Sequence, residues 1–307
     1  MAQTFLTLFL LILSGVLYRY VPGSPDPSVL RQRIGSLVFN ILLPALAFSV
    51  MATAPFGSDL ITVPLTSVIT VVVSYACAWL VYGMAMSAKI PKPTAGALIL
   101  AAVWCNCTYL GLPIVTGVIG DHMSRVPIVF DLLGMSPMLI TLGATMSMRF
   151  GRTEEQQRIM QSLRHILTRP PFLATIVGLL ANGAHIGIHP TILDVLSYAG
   201  SAVPPLMMVS IGLGLRMPRR TSAALLAPAI VIKLVLAPLV AYVVARPLIA
   251  DPDVFLATML EAGMPTMMLT MVFADRYGLD TDTLAQAIVV STIVSMITLP
   301  LLVSLFQ

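Results

Sequence analysis

Charge is what this sequence has least of. Only 10% of its 307 residues are Asp, Glu, Lys or Arg, against 58% hydrophobic, and the mean hydropathy is +0.95. A soluble domain carries roughly 25% charged residues, so this chain cannot cover a folded body in water and must take lipid as its solvent. In lipid only helices and closed barrels satisfy the whole backbone. The apolar runs are continuous and lack the alternation of barrel strands, which excludes the barrel. Cysteine is nearly absent too. Cys77, Cys105 and Cys107 are an odd number inside apolar runs, with no His beside the Cys-x-Cys pair. Free thiols are therefore expected, with no disulfide frame, metal site or other cofactor indicated. The first run, Gln3 to Tyr20, lacks a basic leader and an A-x-A-like cleavage site, so it reads as a first span rather than a signal.

What is present is a series of windows of about the 17–25 residues needed to cross a bilayer. They fall near 3–21, 34–53, 60–86, 94–118, 126–148, 171–188, 191–215, 222–246, 254–275 and 284–306. Fourteen basic residues lie in alternate connections: Arg19, Arg31 and Arg33; Lys89 and Lys92; five arginines between 149 and 169; Arg216, Arg219 and Arg220; and Arg276. Two, Arg125 and Arg246, lie on the other side, and Lys233 lies inside a window. That asymmetry orients the chain with both termini outside the cytoplasm, as a multi-pass protein of the cell (inner) membrane. It also explains the basic pI of about 9.1 without a nucleic-acid partner.

The fold expected is all-α and integral to the membrane, with ten transmembrane helices in two five-helix repeats. The segment 149–170 divides the chain into 1–148 and 171–307, with a cytoplasmic linker between. Its Met160, Leu163, Ile166 and Leu167 recur at helical spacing, which suits either a short helix lying on the membrane surface or, the favoured reading, a solvated linker with an interfacial turn. An odd number of spans per half makes the halves inverted, the arrangement of many secondary transporters. The fourth window of each half is interrupted. The first reads Asn106-Cys107-Thr108-Tyr109-Leu110-Gly111-Leu112-Pro113, the second Glu261-Ala262-Gly263-Met264-Pro265-Thr266. A mid-helix proline removes a hydrogen bond and clashes with the preceding turn, so in lipid it persists where the break lines a cavity or meets another helix. Polar residues at equivalent breaks point to a midplane binding site, where the N-termini of half-helices favour an anion. Pro64, Pro137, Pro228 and Pro238 read as simple kinks.

At these residues the chain resembles the auxin efflux carrier family, which includes plant auxin exporters and bacterial permeases for malate and related acids. The similarity lies in Asn106-x4-Gly111-x-Pro113-Ile114, in Pro265 to Asp280 with Val272-Phe273-Ala274-Asp275-Arg276-Tyr277-Gly278-Leu279-Asp280, and in Ser291 to Pro300. The resemblance implies a transport domain whose fourth and ninth helices cross at their prolines, with the substrate carboxylate beside the crossing. Asn106, Gly111, Pro113, Pro265 and Thr266 are the substrate-binding candidates that follow. It also implies a small organic anion as substrate, with a proton or Na+ as candidate coupling ion, and leaves room for a homodimer. Pro44-Ala45-Leu46-Ala47-Phe48 lacks a serine that plant members have. Glu261 stands where they tend to have Gln, and 149–170 replaces a long loop. All three departures favour a small bacterial-type permease.

Three ionisable residues, Asp131, Lys233 and Glu261, fall within apolar windows. Each is a functional candidate because a charge at the bilayer centre costs about 2.5–3.5 kcal/mol even on insertion scales. Glu261 either takes up a proton during transport or pairs with Lys233; Lys233 could instead face the substrate; and a static pair gluing helices is the alternative. No Gly-x-Gly-Asp, His-Glu-x-x-His or Gly-x-Ser-x-Gly sequence occurs, which argues against an intramembrane enzyme. A sodium-coupled anion symporter or ion antiporter of similar fold is the nearest competing function, ahead of a channel.

Overall fold

A computed structural model describes residues 2–86, 88–151, 168–214 and 223–306. The expected linker turn over Met160–Leu167 and the basic loop around Arg216–Arg220 lie outside them. The described residues form helices and no strands. In chain order these are α1 (Ala2–Tyr18), α2 (Pro27–Thr53), α3 (Asp59–Ala85), α4 (Lys92–Val103), α5 (Cys107–Val118), α6 (Asp121–Phe150), α7 (Pro170–Gly183), α8 (Pro190–Gly214), α9 (Ala223–Ala245), α10 (Pro252–Ala262), α11 (Thr270–Tyr277) and α12 (Thr281–Phe306). Six of them, α2, α3, α6, α8, α9 and α12, are long and apolar enough to cross a membrane. The windows 94–118 and 254–275 each hold two half-helices with extended chain between them.

Prolines shape these helices in a regular way. Four π-helical turns end two residues before a proline: Val38–Leu42 before Pro44, Cys107–Gly111 before Pro113, Asp131–Met135 before Pro137, and Ile232–Leu236 before Pro238. The wider turn takes up the proline's missing N–H and the clash with the carbonyl one turn back, so the helix bends without ending. Pro228 is treated differently. Tyr82 Oη donates to Leu225 O at 2.9 Å and accepts from Ala229 N at 2.8 Å, inserting itself between an i and i+4 pair of the α9 ladder. A buried hydroxyl thereby restores both backbone partners that the distorted helix leaves apart.

The helices gather into two compact units, each drawing segments from both sides of 149–170. The chain passes from one unit to the other between Cys107 and Thr108 and returns between Ile128 and Val129. The first unit contains α1, α2, α7 and α8, most of α5 and the start of α6. Its core is Val38, Leu43, Leu112, Val203 and Met207. Glycines set its closest approaches: a Cβ at Gly15 of α1 would lie 2.2 Å from Val209 O, and one at Gly212 of α8 would lie 2.0 Å from Ile12 O. Backbones touch there as they do at small-residue helix contacts in membranes. Asn182 of α7 donates to Met51 O at 3.0 Å and Ala54 O at 2.6 Å, closing the end of α2.

The second unit contains α3, α4, most of α6 and α9 to α12. Its central helix is α4, in which every residue from Thr94 to Val103 is buried. Such a helix, apolar all round, belongs inside a body of other helices. Asp280 fastens α12 to the start of α4. Its carboxylate accepts from Thr283 N (3.0 Å), Thr283 Oγ1 (2.8 Å) and Thr94 Oγ1 (2.8 Å), while its own N–H donates to Pro93 O at 3.2 Å.

Candidate functional site

The two interrupted helices meet inside the second unit. After Val103 the chain leaves the helix at Trp104, whose φ of −88° and ψ of 128° are extended. The run Val103-Trp104-Cys105-Asn106-Cys107-Thr108 joins β-branched, aromatic, Asn and Cys residues, all weak helix formers. The second break follows Gly263, the C-cap of α10, where Pro265 forbids continuation and pushes Met264 toward extended geometry. The two extended pieces pair as an antiparallel bridge with Cys105 opposite Thr266. Asn106 N donates to Pro265 O at 2.8 Å, and Met267 N donates to Trp104 O at 2.9 Å. Backbone groups freed by each break thus satisfy those freed by the other, as burial in lipid demands.

Side chains reinforce this junction. Thr266 Oγ1 donates to Ala101 O at 2.8 Å, and Thr266 N donates to Ser291 Oγ at 3.1 Å. Ser291 passes its own hydrogen to Ile288 O at 3.1 Å. Lys233 is fully buried, and its Nζ donates to Val103 O at 3.2 Å, at the last residue of α4. A cation there meets the negative end of the half-helix dipole. Asp131, 3% exposed, accepts from Ser136 Oγ at 2.8 Å. Glu261 is fully buried in the last turn of α10, and both its carboxylate oxygens lack a hydrogen-bond partner. Lys233 touches the junction directly, and Asp131 and Glu261 lie near enough to Cys105 and Cys107 to interact with them electrostatically. Glu261 and Lys233 are not joined by an ion pair. Three sulfurs sit there as well: Cys105 Sγ lies 3.6 Å from Cys107 Sγ and 3.7 Å from Met135 Sδ, and all three cysteines are free thiols.

Residues 6–303 match the model of a membrane transport protein family. The chain belongs to that family, the auxin efflux carrier type of membrane transport protein. It is 33% identical over 306 residues, 97% of this chain and 96% of the relative, to an uncharacterized transporter of Methanothermobacter thermautotrophicus. It is 26% identical over 218 residues, 69% of each chain, to an uncharacterized transporter of Methanocaldococcus jannaschii.

Within this membrane transport protein the candidates divide between the two units. Asn106, Pro265 and Thr266 come together at the bridge. Asn106 contributes its backbone N–H and keeps its carboxamide out of the pairing, whereas both polar groups of Thr266 are engaged in holding the junction. Gly111 and Pro113 belong to the first unit, where the π turn Cys107–Gly111 takes up the missing N–H of Pro113 and the helix continues through it. The first break therefore lies at Trp104–Asn106 rather than at Pro113. Ser291 enters the sequence reading only as the start of the Ser291–Pro300 similarity, not as a site residue. It sits 25 residues from Thr266, inside an uninterrupted apolar helix, and carries no local signal of its role.

Proposed function

We propose that this membrane transport protein is a secondary carrier of small organic anions, a permease or efflux carrier for mono- or dicarboxylates. Substrate binds near the membrane midplane beside the Cys105–Thr266 bridge, and access alternates between the two sides. The observation that carries this reading is the bridge itself: two broken helices tied through their backbones inside the second unit, with the buried Lys233 on the end of α4 beside it and the buried Asp131 and Glu261 interacting electrostatically with its cysteines. Irregular backbone inside a membrane protein is tolerated only where it is buried in protein or lines a cavity, and broken helices at corresponding positions are a common setting of transporter substrate sites. The N-terminal ends of α5 and α11 give the anion its dipole partners. The Asn106 carboxamide supplies a hydrogen-bond donor. In this reading the chain crosses ten times as two inverted halves, 1–148 and 171–307, with α4–α5 and α10–α11 each forming one broken span and both termini outside the cytoplasm.

Uptake of radiolabelled mono- and dicarboxylates into proteoliposomes tests the proposal. Saturable carboxylate uptake that collapses in Asn106→Ala supports it; uptake of a cationic or neutral solute and no carboxylate overturns it. The unpartnered carboxylate of Glu261 favours a second reading, in which Na+ occupies the junction and drives the anion. Uptake that requires an inward Na+ gradient selects that reading over a proton-coupled or uncoupled one.

A further inference from the structure

The end of α3, the start of α4 and the end of α6 enclose a pocket of about 180 Å³, all of it within the second unit. Cavities that hold whole small ligands run to about 300–1,000 Å³, so this one has room for a headgroup rather than a whole molecule. Its lining includes Trp79, Gly83, Ile90, Lys92, Arg149 and Phe150, and no Asp or Glu.

The aromatic wall is held in place by its neighbours. α3 ends in the π turn Trp79–Ala85, and the missing side chain of Gly83 leaves room for the indole: a Cβ there would lie 3.1 Å from the Trp79 ring. Phe150 meets that ring edge-on at 5.4 Å, and Arg149 places its guanidinium carbon 4.9 Å from the ring centre, over the ring. A guanidinium held through its face keeps its in-plane N–H donors for an acceptor. Among the described residues neither Arg149 nor Lys92 is paired with a carboxylate. The Asp280 carboxylate, which Thr94 reaches two residues along from Lys92, is already occupied by Thr94 and Thr283.

Two cations beside an indole, at the ends of membrane helices, are the chemistry that holds an anionic headgroup at the bilayer surface. Leu80 and Met84, each next in sequence to a lining residue, are exposed. A soluble anion would use the cations and leave that apolar surface bare. A lipid uses both. We propose that this pocket binds the phosphate of an anionic phospholipid between Lys92 and Arg149, with the acyl chains running along α3 past Leu80. Both cations belong to the basic side of the chain, so the lipid is one of the cytoplasmic leaflet in the orientation of the carrier reading; the binding chemistry stands on the pocket alone.

Trp79 serves as the reporter in the test, since the other tryptophan, Trp104, is fully buried. Purified full-length protein is placed in phosphatidylcholine bilayers. Phosphatidylglycerol with brominated acyl chains, which quench nearby indoles, is then titrated against brominated phosphatidylcholine, and Trp79→Phe measures what Trp104 contributes. Phosphatidylglycerol should compete for the position beside Trp79 about tenfold better than phosphatidylcholine, the effect of two cations at an anionic headgroup. Lys92→Gln, which leaves Trp79 and its ring contacts in place, should lower that preference about threefold, and Lys92→Gln with Arg149→Gln should bring it to about one. Lys89→Gln removes an exposed cation outside the pocket and should leave the preference unchanged. Equal quenching by the two lipids in the wild type, a preference that survives the double substitution, or one lowered as much by Lys89→Gln as by Lys92→Gln overturns the site. A preference lost in millimolar inorganic phosphate at constant ionic strength assigns the pocket to a soluble phosphate and overturns the lipid. Carboxylate uptake plays no part in the readout, so the site and the carrier reading stand or fall separately.

Discussion

Lys233 Nζ donates to the carbonyl of Val103 at 3.2 Å, so the buried cation caps the end of a broken helix and does not neutralise Glu261. The carbonyl is one of those a helix terminus leaves without an internal partner, and in lipid no water replaces a missing donor. Lys233→Met should therefore lower stability by about 1–3 kcal/mol, the cost of stranding a buried acceptor, read as a lower melting temperature in detergent. Lys233→Met melting with the wild type would show that the bond contributes nothing.

Tyr82 gives a prediction that separates packing from hydrogen bonding. Tyr82→Phe keeps the ring and removes the hydroxyl that bridges Leu225 O and Ala229 N. Two backbone groups lose their partner at once, so a loss of about 1–3 kcal/mol is expected. Thermal unfolding of the purified variant measures it, and hydrogen exchange at Ala229 should rise in parallel.

Glycines provide a matched pair of opposite sign. Gly212→Ala places a methyl 2.0 Å from Ile12 O, which only a backbone shift between α1 and α8 can relieve; a loss of several kcal/mol is expected, beyond the usual overpacking range of about 1–3 kcal/mol. Gly35→Ala sits inside α2 with nothing within 4 Å and should stabilise by about 0.5–1 kcal/mol through helix propensity. A Gly212→Ala melting temperature at or above that of the wild type would contradict the α1–α8 contact, and one below it for Gly35→Ala would contradict the open helical site at Gly35.

Much of this was legible in the sequence, for identifiable reasons. Scarce charge fixes the solvent as lipid, and the windows 34–53, 60–86, 126–148, 191–215, 222–246 and 284–306 each hold a helix long enough to cross. Asp131, Lys233 and Glu261 stand out because charge is costly among apolar residues, and they converge on one junction. The position of the first break was not legible. Pro113 suggested it, but a π turn absorbs that proline, and the helix opens instead at Trp104–Asn106, where the partner Thr266 is 161 residues away from Cys105. Long-range pairing of this kind has no local signature. Nor has the grouping of helices into units, which depends on which glycine faces which backbone.

Asp280 carries a dependence on pH outside the spans. Burial pushes its carboxyl up, but donors from Thr283 N, Thr283 Oγ1, Thr94 Oγ1 and Asp282 N outweigh that and hold it below the usual carboxylate value. A carboxyl depressed in the folded state adds stability above its unfolded pKa of about 3.9 and loses it as pH falls through the lower folded value. The stability difference between wild type and Asp280→Asn should thus be constant near neutrality and shrink below about pH 4. A difference that grows on acidification would reverse the sign and refute the cap.

Glu261 sets the sharpest functional expectation. An ionised carboxylate that is fully buried and makes no hydrogen bond stronger than one to a nearby thiol is costly, and the neighbours of Glu261 at the junction are Cys105, Cys107 and Asp131. The same side chain in neutral form carries no such cost, so a proton arriving with substrate would relieve the junction and one leaving would strain it. Glu261→Gln is the neutral isostere. If the carboxylate moves a proton, the variant should fold at least as stably as the wild type at pH 8, and its carboxylate exchange across liposomes should lose the pH dependence seen in the wild type. An unchanged pH profile in Glu261→Gln would remove the proton from the mechanism and leave Glu261 to the sodium-coupled reading, where the variant should instead lose its response to a Na+ gradient.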